Sequence, residues 1–331
     1  MTLFLERDGA APYDECLSLM TARKPSCVVL GGGGFLGLNL CRHLASAGYR
    51  VRAFGRRCSF PEALEDVPWL PGHASDVDAL TAAIESCETV FHLLGTTTGY
   101  SAQHAVAQDL HDNVIAALHC FDVSRKLGVK RIVFTSSGGA IYGAPAQIPT
   151  PETAPAEPFT AYGINKLAIE KYLAAYERFH GVDYRILRIA NLFGPFQLPK
   201  KDYGTIANCI SCALDKQSIK IWGDGSAVRD YVFADDVIAA LESAMNDSSD
   251  QRIFNIGSGQ GRTLNDVVWS VEQILNTKLE IDWKPSRPGD IPASVLAIDR
   301  ARAVLGWTPS TPFEIGLRKT VEWWESMKRH P

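Results

Sequence analysis

The chain has 331 residues, 46% of them hydrophobic, and a formal net charge of -4. That length and composition can bury one large core or two linked ones, which fits a two-domain enzyme and argues against a small binding module. The mildly acidic balance gives no general attraction for nucleic acid or for an anionic membrane surface, so any phosphate recognition must come from a few placed cations.

The opening MTLFLERDGAAPYDE carries acids early and has no basic stretch leading into an apolar one. No apolar run approaches the ~18 residues of a membrane span, and a cytoplasmic protein is expected. Residues 1–25 form an extension to which no role is assigned. Eight cysteines (Cys16, Cys27, Cys41, Cys58, Cys87, Cys120, Cys209 and Cys212) lie in apolar or helical stretches and are expected as reduced thiols, most of them buried. Cys209 and Cys212 make a C-x-x-C, but no second ligand pair stands at metal spacing, and no metal is expected.

SCVVL (26–30) reads as a strand, GGGG breaks it, and FLGLNLCRHLASAG has helical spacing, with Leu36, Leu40 and Leu44 on one side and Gly48 at its end. The pattern recurs: a strand in RVRAF, a helix near 78–87, a strand in TVFHLLG, a helical segment near 104–127, a strand in RIVFTSS, a helix over 161–180 and a strand in DYRILRIA. Strands alternating with helices imply right-handed crossovers and a parallel sheet. The expected fold is α/β, a Rossmann-type doubly wound sheet over residues 26–190 with a smaller C-terminal α/β substrate domain over 191–331. Beyond Asn191 the rhythm is broken by Pro195, Pro199, GDGS, SRPGD and WTPSTP. Some of these later segments are expected to return to the first domain.

Gly31, Gly34 and Gly37 form G-x-x-G-x-x-G between the first strand and the first helix. Such glycines let the backbone, here through Phe35 and Leu36, approach a pyrophosphate at the positive end of the helix; a plain loop is the other reading. An acid at the end of the second strand would bind a ribose 2′-hydroxyl. Gly55 stands there instead, followed by Arg56 and Arg57, whose guanidinium groups suit a 2′-phosphate; without a ligand they are solvated loop residues. The expected cofactor is therefore NAD(P), with NADP suggested and NAD the alternative. Asp76 and Val77 are placed to reach the adenine edge, although an Asp there also suits a helix cap.

Tyr162 and Lys166 stand four apart and share a helix face. A phenol titrates near pH ~10, so its use as a base at pH 7 needs a lowering of about 3 pH units, roughly 4 kcal/mol, part of which a neighbouring ammonium can supply. Thr135, Ser136 and Ser137 end a strand at the carboxyl edge of the sheet, facing the binding crevice.

With these parts in place the sequence resembles the extended short-chain dehydrogenase/reductase superfamily, most closely the UDP-galactose 4-epimerase-like sugar-nucleotide enzymes. GGGGFLG, FTSSGGAIYG, YGINK, LRIANLFGP, GDGSAVRDYVFADDV, FNIGSG and RPGD occur in the family's order over residues 26–327. The resemblance implies that Tyr162 is the catalytic base and that Lys166 holds the nicotinamide ribose and tunes Tyr162. It places Asn113 on the helix before the serine strand and Leu94 and His92 beside the cofactor, with His92 more readily a packed structural residue. Counted from Phe134 the catalytic serine is Ser137, with Ser136 in reserve; counted back from Tyr142 the place falls on Gly138. Asn191, Arg229 and Arg287 are the implied diphosphate contacts, surface ion pairing of the arginines with Asp230, Asp235 or Asp290 being the alternative. Trp222 falls in the uridine-binding segment or in a core. Ser294 occupies a position that gates the sugar pocket, and its small size leaves space for an acetamido group.

The implied activity is reversible epimerisation at C4 of a nucleotide sugar (a UDP-hexose or UDP-N-acetylhexosamine) through a 4-keto intermediate, in a homodimer. A dehydratase would need an Asp-Glu pair where Gly138 and Gly139 stand. An NADPH-dependent keto-sugar reductase is the alternative, and a silent dinucleotide-sensing module a third reading.

Overall fold

The computed structural model describes residues 24–95, 101–199, 204–287 and 289–329, so nearly all of the expected extension lies outside the described residues. In chain order the strands are β1 (Ser26–Leu30), β2 (Arg50–Gly55), β3 (Trp69–Pro71), β4 (Thr89–His92), β5 (Arg131–Ser137), β6 (Tyr184–Ile189), β7 (Asn191–Phe193), β8 (Ile219–Trp222), β9 (Val228–Phe233), β10 (Ile253–Ile256), β11 (Gly261–Thr263), β12 (Ile281–Lys284) and β13 (Ala293–Ser294).

Seven of them form one sheet in the order β3-β2-β1-β4-β5-β6-β10, with every neighbouring pair parallel. The chain winds outward from β1 to β3, then crosses back to β4 and winds the other way, so the strand order reverses between β1 and β4. In such sheets ligands bind at the carboxyl ends beside that switch point. All residues of β1, β4 and β6 are buried, as expected of central strands covered on both faces.

Alternate residues of one strand serve different cores. Val29 and Ala53 pack with Leu40, Leu44, Val237 and Leu241 from helices Phe35–Ser46 and Ala234–Asn246. Val28 and Phe54 point to the other face, against Leu80, Phe121, Ile169 and Leu173. A third core joins strands β8 and β9 to helices Thr205–Asp215, Leu264–Leu275 and Phe313–Arg329 through Ile210, Ile221, Val271, Leu317 and Trp324.

Residues after 190 do not stay together. β10 completes the main sheet beside β6, whereas β9 pairs with β7, β11 and β13, and β8 pairs with β12. The helical stretch expected near 104–127 consists of Val106–Leu110 and Ala116–Lys126 joined by a π-helical turn, His111–Ile115. The helix expected near 78–87 ends at Ile84, and Ser86 follows at φ 61°. Among the described residues no helix is long and apolar enough to cross a membrane.

Candidate active site

The glycine turn is built by backbone bonds. The Gly31 amide donates to Phe54 O at 2.8 Å and the Gly34 amide to Gly31 O at 3.0 Å. Gly31 has φ +91°, a conformation that side chains resist, and a Cβ on Gly37 would lie 2.1 Å from Gly31 O. Glycine is thus required at one place by conformation and at the other by the close seating of the helix on the turn. Gly34 is the N-cap of helix Phe35–Ser46, with no side-chain cap bond and no acid in the first turn. The leading amides, including those of Phe35 and Leu36, and the positive end of the helix therefore suit an anion. This cradle fits the pyrophosphate of a dinucleotide. Leu94 lies beside it, its amide nitrogen 3.4 Å from where a Cβ on Gly31 would stand.

At the end of β2, Gly55 is buried and Arg56 and Arg57 are exposed. Their loop is anchored, since the Ser59 amide donates to Gly33 O at 3.4 Å and a Cβ on Gly33 would come 2.3 Å from Arg57 O. The backbone that carries the two arginines is therefore held against the glycine turn. Asp76 is the N-cap of helix Val77–Ile84; its Oδ1 accepts from the Asp78 and Ala79 amides at 3.1 and 3.0 Å. The capping role left open in the sequence is thus filled, and Val77 beside it is exposed.

Tyr162 and Lys166 lie on helix Ala161–His180, which is started by Thr160, whose side chain accepts from the Gly163 amide at 3.1 Å, and ended by Gly181 at φ 69°. Lys166 is only 7% exposed. Its Nζ donates to Thr135 O at 2.9 Å and stands 4.7 Å from the centre of the Phe134 ring and 5.9 Å from that of Tyr162. Desolvation lowers its pKa from 10.5 to about 8, against the opposing charges of Glu170 and Asp109. Because the unfolded chain keeps this proton up to about pH 10.5, unfolding takes up a proton between pH 8 and 10.5 and stability rises across that window. Lys166→Met is expected to abolish turnover yet stabilise the protein at pH 7 by on the order of 2 kcal/mol, the desolvation cost less one hydrogen bond. Urea unfolding of both proteins checks this, and a destabilised variant would contradict it.

Ser137 is half-buried and ends β5, where it is followed by the single helical turn Gly138–Ile141. Ser136 is buried, its Oγ without a hydrogen-bond partner among the described residues. A Cβ on Gly138 would lie 2.4 Å from Leu296 Cδ1, so a side chain at 138 would have to shift Leu296; of the two neighbouring serines the more accessible is Ser137. His92 is buried between Phe121 and Phe134, and neither ring nitrogen has a partner among the described residues. Desolvation, helped by the Lys166 charge, drops its pKa to about 3, which keeps the ring neutral.

Asp109 was not singled out from the sequence. It is 2% exposed, and its two oxygens accept from Asn113 Nδ2 at 2.8 Å and Asn165 Nδ2 at 2.6 Å. It thereby ties the π-helical turn to the helix of Tyr162 and Lys166. A D-x-x-x-N spacing is the only trace of it in the sequence.

On the substrate side, Asn191 Nδ2 donates to Asp230 O at 3.1 Å, and Arg229 Nη1 donates to Val228 O at 2.8 Å. Arg229 has no carboxylate within salt-bridge distance among the described residues, and the Asp230 carboxylate instead accepts from Ser258, Gly259 and Leu296. Ser294 is buried and pairs in register with Arg229, so β7, β9 and β13 bring Asn191, Arg229 and Ser294 onto one strip. Trp222 is 40% exposed, which excludes the core reading, and the Arg287 guanidinium lies 4.0 Å from its ring centre. Cys209 and Cys212 are free thiols on helix Thr205–Asp215.

Residues 27–257 match the profile of the NAD-dependent epimerase/dehydratase family. The chain is 32% identical over 314 residues to the UDP-glucose 4-epimerase of Mycolicibacterium smegmatis, covering 90% of this chain and 98% of that one. Among solved structures it resembles the UDP-glucose 4-epimerase of Thermotoga maritima with UDP-glucose (35% identity, TM-score 0.87, 92% of this chain and 99% of that one). It also resembles the Thermus thermophilus UDP-glucose 4-epimerase in complex with NAD (30% identity, TM-score 0.85, 91% and 99% coverage).

Proposed function

The chain belongs to the NAD-dependent epimerase/dehydratase family, and on that premise we propose that it is a nucleotide-sugar 4-epimerase. It interconverts UDP-Glc with UDP-Gal, UDP-GlcNAc with UDP-GalNAc, or both, through a 4-keto intermediate. The observation that carries this reading is the tie between Lys166, four residues after Tyr162, and Thr135 on the strand that ends in Ser137.

When bound, an oxidised nicotinamide supplies the acceptor and then the donor of two electrons at the sugar C4. Tyr162 removes the C4 hydroxyl proton and later returns it, and Ser137 hydrogen-bonds the same oxygen. Lys166 holds the nicotinamide ribose and, as a cation, favours the Tyr162 phenolate. Asn191, Arg229 and Arg287 keep the diphosphate in place while the sugar turns over, and Trp222 supports the base. Gly138 and Gly139 leave the site without the Asp-Glu pair of a dehydratase.

Ser294, small and beside Arg229, leaves space for a 2-acetamido group. UDP-GlcNAc is expected to turn over within about tenfold of UDP-Glc, and Ser294→Tyr to lower only the acetamido rate by about 100-fold. Chromatography of both substrate pairs tests this; strict rejection of acetamido sugars by the unaltered enzyme would refute it.

Gly55, Arg56 and Arg57 favour NADP over NAD. The same residues keep one second reading in play, an NADPH-dependent keto-sugar reductase, which net NADPH consumption would reveal. Val106 and Leu110 on one helical segment and Ile164, Tyr172 and Phe179 along another are exposed at helical spacing, supporting a homodimer built on these faces. The free thiols agree with a cytoplasmic enzyme.

A further inference from the structure

Trp69 opens β3 opposite Ala53 of β2, and the indole is half-buried against the core beneath the glycine turn. Its outer edge lies between two glycines. A Cβ on Gly55 would stand 3.2 Å from Trp69 Cη2, and a Cβ on Gly33 would stand 2.9 Å from the same atom. The ring is held there by the strands, since the Ala53 amide donates to Pro68 O at 2.9 Å and the Gly72 amide to Gly55 O at 3.0 Å.

Position 55 ends β2, where a ribose-binding carboxylate belongs, and Gly33 belongs to the turn that fits the pyrophosphate. The space between them is where the adenosine ribose must pass. We propose that Trp69 is a specificity-determining residue: its indole edge takes the place of the missing carboxylate, walls the adenosine ribose, and turns the 2′ substituent outward to Arg56 and Arg57. This rests on the dinucleotide reading above. It makes selectivity a property of the Gly55-Trp69 pair and not of the arginines alone, because a side chain at 55, its Cβ only 3.2 Å from Trp69 Cη2, would crowd the packed ring.

The test is calorimetric titration of NADP⁺ and NAD⁺ into nucleotide-free protein for the unaltered chain, Gly55→Asp, Trp69→Ala and the double variant. Circular dichroism verifies folding, and Trp69→Leu, which keeps apolar volume but frees the ring edge, is run in parallel with Trp69→Ala, alone and with Gly55→Asp. The unaltered protein is expected to prefer NADP⁺ by about tenfold or more, and Gly55→Asp to weaken NADP⁺ without gaining NAD⁺; adding Trp69→Ala or Trp69→Leu to it should then strengthen NAD⁺ by about tenfold. A switch to NAD⁺ by Gly55→Asp alone, with Trp69 in place, would overturn this inference and leave the dinucleotide reading standing. An unaltered protein that preferred NAD⁺ would overturn the outward 2′ placement. Binding of neither nucleotide would overturn the dinucleotide reading and this inference together.

Discussion

Replacing Tyr162 by phenylalanine is expected to lower the rate of C4 epimerisation by about three orders of magnitude, within the range for loss of a positioned acid-base group. Only one oxygen is removed. The ring stays on the first turn of helix Ala161–His180, whose start is fixed by Thr160 and not by the phenol, so the unfolding midpoint and the affinity for the dinucleotide should change little. The effect is large because neither His92 nor Lys166 can take the proton in its place. His92 is driven to a pKa of about 3 by burial first and the Lys166 charge second, so it binds no proton at pH 7, and its ring is sealed between Phe121 and Phe134. Lys166 is a cation at that pH, since its pKa of about 8 lies above it. Initial rates by chromatography, with thermal melts as the control, measure the change.

Arg188→Met is expected to destabilise the fold by about 3–5 kcal/mol, the cost of leaving a buried charge without its partner. Arg188 and Glu170 are 4% and 3% exposed and meet through two bonds, Nε to Oε1 at 3.1 Å and Nη2 to Oε2 at 2.6 Å. Burial opposes the charge on Arg188, but the bonds and the charge of Glu170 outweigh it and hold the guanidinium above its usual range. The third arm, Nη1, donates to Tyr142 Oη at 2.9 Å, and Tyr142 donates to Asn255 Oδ1 at 2.7 Å. Tyr142 directly follows the single turn after Ser137, so this chain of bonds also fixes the serine. The variant should therefore lose kcat more than it raises KM. Glu170→Gln combined with Arg188→Met should recover part of the stability, because the pair is then removed together. Urea midpoints of Arg188→Met, Glu170→Gln and the double variant check the cycle; a cost below about 1 kcal/mol for Arg188→Met would contradict the role of the pair.

The alternation of strand and helix was legible because each central strand is a short apolar run bounded by a turn, as in SCVVL, and each helix carries a 3.6-residue apolar stripe. The glycine turn was legible for a similar local reason: Gly31 is demanded by its own φ of +91°, and Gly37 by Gly31 O six residues earlier. What sequence reading could not supply is set by distant chain. β10 enters the main sheet through pairing with β6, more than 60 residues earlier, and nothing in FNIGSG announces that partner. Around the serine, the packing of Leu296 Cδ1 2.4 Å from where a Cβ on Gly138 would stand comes from chain more than 150 residues away. Asp109 shows as one acid among many on a helix until Asn165 is folded against it, and Trp222 could be given to a core or to a ligand until its exposure was known. Asp76 carries two local signals at once, and the structure shows the cap.

On the proposed function, this site moves a hydrogen off a sugar carbon and returns it to the opposite face of the same carbon. Its most direct measurement uses UDP-glucose and UDP-GlcNAc carrying deuterium at C4, incubated with the purified protein and resolved by chromatography and mass spectrometry. The expected product is the C4 epimer with the label retained and no net consumption of nicotinamide cofactor. Stoichiometric loss of NADPH, or no C4 epimer from either labelled sugar, would contradict that function.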